Sequence, residues 1–143
     1  MSTKVLVVDD EQDFVELISF NLKEHGYRVL TANNGLDALF KARRSQPDVV
    51  ILDLMMDGID GYSVCEILRR QLSTRTMPVI MVTAASGQLP RLNGLAAGAN
   101  DFLFKPFSPQ ELVRRVAAVI AESADRQRTA EEEAAEDPDG TAR

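Results

Sequence analysis

Short unbroken apolar runs alternate along this chain with longer stretches in which apolar residues return every three or four positions. Val5-Leu6-Val7-Val8, introduced by Lys4, Val49-Val50-Ile51-Leu52 and Pro78-Val79-Ile80-Met81-Val82 are rich in β-branched side chains. Runs so short and so apolar predict strands covered on both faces. Tyr27–Ala32 and the brief Asp101–Phe104 predict two more. Between them the period changes. Phe14, Leu17, Ile18 and Leu22 mark one helix, with Asp13, Glu16 and Lys23 facing outward. Leu36, Leu39, Phe40 and Arg43 mark a second, and Val64, Ile67, Leu68 and Leu72 a third. Leu112, Val113, Val116, Val119 and Ile120 supply the stripe of the last. The fourth is weakly specified, because Gly87, Pro90 and Gly94 leave only residues 91–97 as a helix.

The punctuation agrees with this order. Gly26 after His25 is a helix stop with glycine in the left-handed position, which makes His25 a terminal helix residue and not a ligand. Asn33-Asn34-Gly35 is a turn, and Pro47 ends the second helix. Ser108, Pro109 and Glu111 form a capping box for the last helix. Cys65 lies within the third helix and reads as a partly buried small hydrophobe. Five alternations of strand and helix predict an α/β protein with a doubly wound parallel sheet.

Composition adds three limits. The 143 residues, 45% hydrophobic and 27% charged, suffice for one globular domain. One cysteine and one histidine exclude an internal disulfide and a His-based metal site, so any metal must take oxygen ligands. The start carries no signal-peptide pattern and no run approaches a membrane span, so a cytoplasmic protein without membrane insertion is expected. The net charge of −6 is uneven: residues 1–121 hold 13 basic and 14 acidic side chains, residues 122–143 hold 3 and 8. An acidic tail is therefore expected after a nearly neutral domain at 1–122. Its Ala/Glu-rich part, to about residue 136, is a helical extension; Asp137-Pro138-Asp139-Gly140 ends it, with disorder beyond. No basic patch predicts direct nucleic-acid binding, and 22 tail residues are too few for an output domain.

Asp53, taken alone, is the polar residue that ends a strand. A parallel sheet changes that, because ligands bind outside the carboxyl ends of its strands. There the first strand delivers Asp9 and Asp10, the third Asp53, the fourth Thr83 and the fifth Lys105. Crowded carboxylates repel unless a cation joins them, and Mg²⁺ is the hard ion suited to oxygen ligands and phosphate. Lysine and threonine on the other wall suit an anion. Together these groups describe a site that handles a phosphoryl group, with a carboxylate as nucleophile.

Val7-Val8-Asp9-Asp10, Leu52-Asp53, Gly58-x-Asp60-Gly61, Val82-Thr83-Ala84 and Gly98-Ala99-Asn100-Asp101-Phe102-x-x-Lys105-Pro106-Phe107 fix a further likeness. Over residues 4–121 the chain resembles the receiver domain of bacterial two-component response regulators. The resemblance implies strand order 2-1-3-4-5 and five flanking helices. It implies that Asp53 is the phosphoacceptor, fed by a sensor histidine kinase or a histidine phosphotransfer protein. Asp10 would bind Mg²⁺ directly, Asp9 mainly through water, and the Met55 backbone carbonyl would be another ligand. Thr83 would turn toward the phosphoryl group, with Phe102 following as an aromatic switch that alters binding to an unknown downstream target. Lys105 would pair with the phosphoryl group, positioned by a cis peptide before Pro106.

Two features depart from the family pattern: Asp57 where proline is usual, and the weak fourth helix on the signalling face. Met55 and Ala85, two residues beyond Asp53 and Thr83, cannot orient an attacking water, which implies a long-lived phosphorylated state. Asp101 and Arg115 are a candidate pair across a two-fold, giving a possible homodimer through the last two helices and the last strand. Rival readings are a flavodoxin-like FMN carrier, an aspartyl-phosphate phosphatase, and a receiver fold that binds partners without phosphorylation. Asp9-Asp10-Glu11 has the wrong sign for a phosphate loop, Met55 stands where the phosphatase needs an acid, and the intact acceptor set argues against the third.

Overall fold

Strands β1 (Lys4–Val8), β2 (Arg28–Ala32), β3 (Val49–Asp53), β4 (Val79–Thr83) and β5 (Asp101–Phe104) alternate with five helices. The helices are α1 (Gln12–Glu24), α2 (Gly35–Ser45), α3 (Gly61–Arg70), α4 (Gln88–Ala97) and α5 (Pro109–Ala135). The computed structural model describes residues 2–135. The disorder expected beyond Asp137 lies outside the described residues. All strands pair in parallel, in the order β2-β1-β3-β4-β5, so the predicted doubly wound sheet is the one observed.

Alternation along each strand divides the core in two. Val5, Val7, Val49, Ile51, Ile80 and Val82 pack with α1 and α5, while Leu6, Val8, Val50, Leu52, Val79 and Met81 face the layer that holds α2 and α3. Every residue of β3 and β4 is buried. That is why these segments carry no polar residue until they reach the edge where Asp53 and Thr83 stand.

Three helical faces differ from the sequence reading. In α1 the buried stripe is Val15-Ile18-Ser19-Leu22, and Leu17 is 52% exposed. Val15 completes an i, i+3, i+4, i+7 row against the sheet, and Leu17 lies off it. In α2 the buried residues are Gly35, Ala38 and Ala42, with Leu36 and Phe40 exposed and only Leu39 half-buried. Close approach selects the small residues: a Cβ on Gly35 would stand 3.0 Å from Ile59 and Val64. In α3 the helix ends at Arg70, which leaves Leu72 in the following turn and 80% exposed, while Cys65 is fully buried.

The termini follow local chemistry. At the end of α1, Gly26 is in the left-handed region, its N–H donates to Lys23 and that of Tyr27 to Leu22, which is a Schellman stop. Asn34 and Asp60 cap α2 and α3 by accepting from Asp37 and Ser63. Helix α4 starts at Gln88, three residues earlier than expected, because Pro90 sits in the first turn where its missing N–H leaves no bond unmade. Only half of the capping box forms at α5. Ser108 accepts from the Glu111 N–H at 3.1 Å, but the Glu111 carboxylate turns to Arg114 and Arg115. From residue 121 onward α5 is exposed except at Ser123, a polar helix extending past the domain.

Candidate functional site

The parallel register aligns the strand ends. Val8 pairs with Leu52, which sets Asp9 beside Asp53; Thr83 pairs with Phe104, one residue before Lys105. Each of these side chains emerges where its strand leaves the core. Asp9 is 1% exposed and is held twice: its N–H donates to Ala32 at 3.1 Å, and its Oδ1 accepts from the Glu11 N–H at 2.9 Å. Asp53 is 5% exposed, and its Oδ1 accepts from the Met55 N–H at 3.3 Å. Asp10 is exposed at the mouth. Carboxylate oxygens of Asp9, Asp10 and Asp53 lie within 4.8 Å of one another.

The loop after Asp53 is fixed by α3. Gly61 donates to the Leu54 carbonyl at 3.0 Å, and a Cβ at Gly61 would stand 2.6 Å from the Asp53 carbonyl oxygen. Only glycine permits the helix to start so close to the acidic residue's own backbone.

Burial is the main reason why the Asp53 carboxyl is raised from 3.8 to about 6. Repulsion from Asp9 adds to it, Lys105 and the Met55 N–H oppose it, and Asp10 adds a smaller push. Lys105 answers part of this charge. Its Nζ donates to Asp9 Oδ2 at 2.9 Å and to Glu11 Oε1 at 3.2 Å. Burial works against its charge, but the hydrogen bond and charge of Asp9, then Asp53 and Glu11, hold the ammonium above its ordinary value. The Lys105–Pro106 peptide bond is cis.

Thr83 is fully buried, and its Oγ1 accepts from the Ala85 N–H at 3.1 Å. Phe102 is 2% exposed, and its ring centroid stands 5.1 Å from that of Phe104. A Cβ on Gly94 of α4 would meet the Phe102 ring at 2.8 Å, so α4 rests directly on this aromatic. Met55 projects its side chain outward, 62% exposed. Asp57 is exposed in the same loop and lies outside the acidic trio. Arg115 Nη1 donates to both carboxylate oxygens of Asp101 at 2.7 Å within the one chain.

The donor set fits a hard cation. Three carboxylates converge, two of them buried, and one ammonium offsets only part of their charge. Oxygen-only ligands with one open, exposed side match an ion that keeps several waters. Two neighbours of the site went unread in the sequence. Glu11 occupies the N-cap of α1 yet makes no capping bond with its side chain, which turns to Lys105. Phe14, read as a core position, lays its ring 4.1 Å from the Lys105 Nζ. Glutamate at an N-cap, where shorter polar side chains cap better, was the available signal for the first.

Residues 5–117 match the family model of the response regulator receiver domain. The chain belongs to that family. The Bacillus subtilis alkaline phosphatase synthesis transcriptional regulatory protein PhoP is 43% identical to this receiver over 123 residues. That match takes in 86% of this chain and 50% of PhoP, so the chain spans about half the length of this relative. A response regulator structure from Chloroflexus aurantiacus J-10-fl is 40% identical with a TM-score of 0.81, covering 85% of this chain and 99% of that one. The receiver domain of the sensor histidine kinase PA1611 from Pseudomonas aeruginosa PAO1 is 35% identical with a TM-score of 0.78, over 85% and 99% of the two chains. That structure has a magnesium ion coordinated in its active-site cleft. Among the described residues of the present receiver, no helix is long and apolar enough to cross a membrane.

Proposed function

We propose that this receiver is a phosphorylation-dependent switch in which Asp53 accepts a phosphoryl group from the phosphohistidine of a sensor kinase or phosphotransfer protein. The observation that carries the reading is the placement of one buried carboxylate within ligand distance of Asp9 and Asp10, with Lys105 on the adjoining wall. A carboxylate oxygen of Asp53 attacks phosphorus in line. The new P–O bond makes an acyl phosphate as the P–N bond breaks, and the electron pair leaves with the imidazole nitrogen. Asp10, Asp53 and the Met55 carbonyl would hold Mg²⁺ directly and Asp9 through water; when bound, the ion offsets charge on the phosphoryl oxygens. Lys105 pairs with one of those oxygens, and the Thr83 hydroxyl donates to another in exchange for its bond with Ala85.

The readout follows from packing. Thr83 pairs with Phe104, whose ring centroid stands 5.1 Å from that of Phe102, and α4 lies on the Phe102 ring, so in this reading a shift of Thr83 passes through the aromatic pair to the surface above it. That surface selects a downstream protein. In this reading residues 1–122 are the switching unit and residues 123–143 an acidic appendage. Met55 and Ala85 offer no group to orient water, so the phosphorylated form persists without a phosphatase.

Incubation with a small phosphodonor and Mg²⁺ tests the assignment. Wild type gains one phosphoryl group and Asp53→Asn gains none. Undiminished labelling of Asp53→Asn contradicts the reading.

A further inference from the structure

Lys105 does not wait free in the crevice. Its ammonium is engaged on three sides: the buried Asp9 at 2.9 Å, the exposed Glu11 at 3.2 Å, and the face of Phe14 at 4.1 Å. Phe14 is itself fixed edge-on against Phe107, with ring centroids 6.0 Å apart and planes at 87°. Phe107 belongs to the segment that carries Lys105, so the aromatic pair couples α1 to the turn after β5. These contacts differ in how they respond to movement. A hydrogen bond to Glu11 is directional and is lost over a shift of about 1 Å. Attraction to a ring face persists to about 6 Å from the centroid. Glu11 is not needed where it stands for the helix, since its side chain caps nothing.

We propose that Glu11 and Phe14 are positioning residues that set how readily Lys105 reaches the phosphoryl group: Glu11 competes for the ammonium, and Phe14 weighs most once the ammonium has left Glu11, when the ring replaces that lost partner. This rests on the reading of Asp53 as acceptor. Phosphorylation then requires Lys105 to leave Glu11 while it stays over the Phe14 ring. Loss of the competitor favours the phosphorylated arrangement; loss of the ring disfavours it. The two effects separate by salt, because the Glu11 pair is 68% exposed on the acidic side and is screened, whereas the ring contact is not.

Labelling rates with acetyl phosphate and affinities for beryllium fluoride, both with Mg²⁺, are compared at low and high ionic strength. Glu11→Gln raises both by about two- to fivefold at low salt, with the gain shrinking at high salt. Phe14→Leu lowers both by about three- to tenfold at either salt, and Phe14→Trp restores them because its ring face is the stronger cation partner. A Glu11→Gln protein indistinguishable from wild type at low salt, or a Phe14→Trp protein no better than Phe14→Leu, overturns the proposal. Failure of the wild type to take phosphate or bind beryllium fluoride overturns the acceptor reading instead, so the two failures are distinguishable.

Discussion

Asp53 carries an electrostatic cost in the folded chain. Its carboxyl is raised from 3.8 to about 6, first by burial and then by Asp9. The folded state therefore binds this proton more tightly than the unfolded chain does, and the residue's contribution to stability is fullest below pH 4 and is lost as pH rises through about 6. At neutral pH in EDTA, Asp53→Asn is more stable than wild type by about 1–2 kcal/mol, after a discount for water at the crevice mouth. The advantage closes below about pH 4, where the carboxyl is neutral in the folded and the unfolded chain alike, and on the proposed reading it also narrows in saturating Mg²⁺, which would favour the folded wild type. Urea denaturation at both pH values checks this; an equal difference at each would contradict it. The place of Asp53, Thr83 and Lys105 was legible because apolar runs mark strand ends and a parallel sheet gathers them. The seat of Lys105 was not: its contacts with Asp9 and Glu11 span 96 and 94 residues. No local pattern records such a pairing.

Helix faces were the least legible elements. Size is a poor guide there: Leu17, Leu36 and Phe40 fit an apolar stripe, but α2 packs toward the sheet through Ala38 and Ala42, with Gly35 set against Ile59 and Val64. Helix α4 shows why a glycine inside a helix is informative. Alanine at Gly94 gains helix preference of about 1 kcal/mol but meets the Phe102 ring at 2.8 Å and Met81 Sδ at 2.9 Å. Overpacking costs about 1–3 kcal/mol, so Gly94→Ala is expected to lose about 1 kcal/mol net and to displace Phe102. Thermal denaturation measures the loss, and an aromatic NMR shift at Phe102 the displacement. Arg69 at the end of α3 was another unread tether. It donates to the Gly98 carbonyl at 2.7 and 3.0 Å, the Met77 carbonyl at 2.7 Å and Asn100 Oδ1 at 3.0 Å, which ties α3 to the entrances of β4 and β5. Arg69→Leu should cost about 2–3 kcal/mol, and lysine should recover less than half, since it lacks the planar fork.

For the whole molecule, the doubly wound sheet was legible from five strand–helix alternations because short unbroken apolar runs and longer stretches of period 3.6 bury their apolar residues in different ways. Beyond the domain, the polar helix 124–135 is exposed throughout. Truncation after Ser123 is therefore expected to leave stability within about 0.5 kcal/mol of the full chain; a larger loss in urea denaturation would show that the extension folds back on the domain. The central claim, that one carboxylate of this receiver takes the phosphoryl group, has a direct test. Borohydride reduction converts an aspartyl acyl phosphate to homoserine, which peptide mass spectrometry locates by residue. After treatment with phosphodonor and Mg²⁺, homoserine is predicted at position 53 and is absent when either reagent is omitted. Homoserine at Asp9, Asp10 or Asp57, or none at position 53 in a protein that has taken up phosphate, would contradict the account.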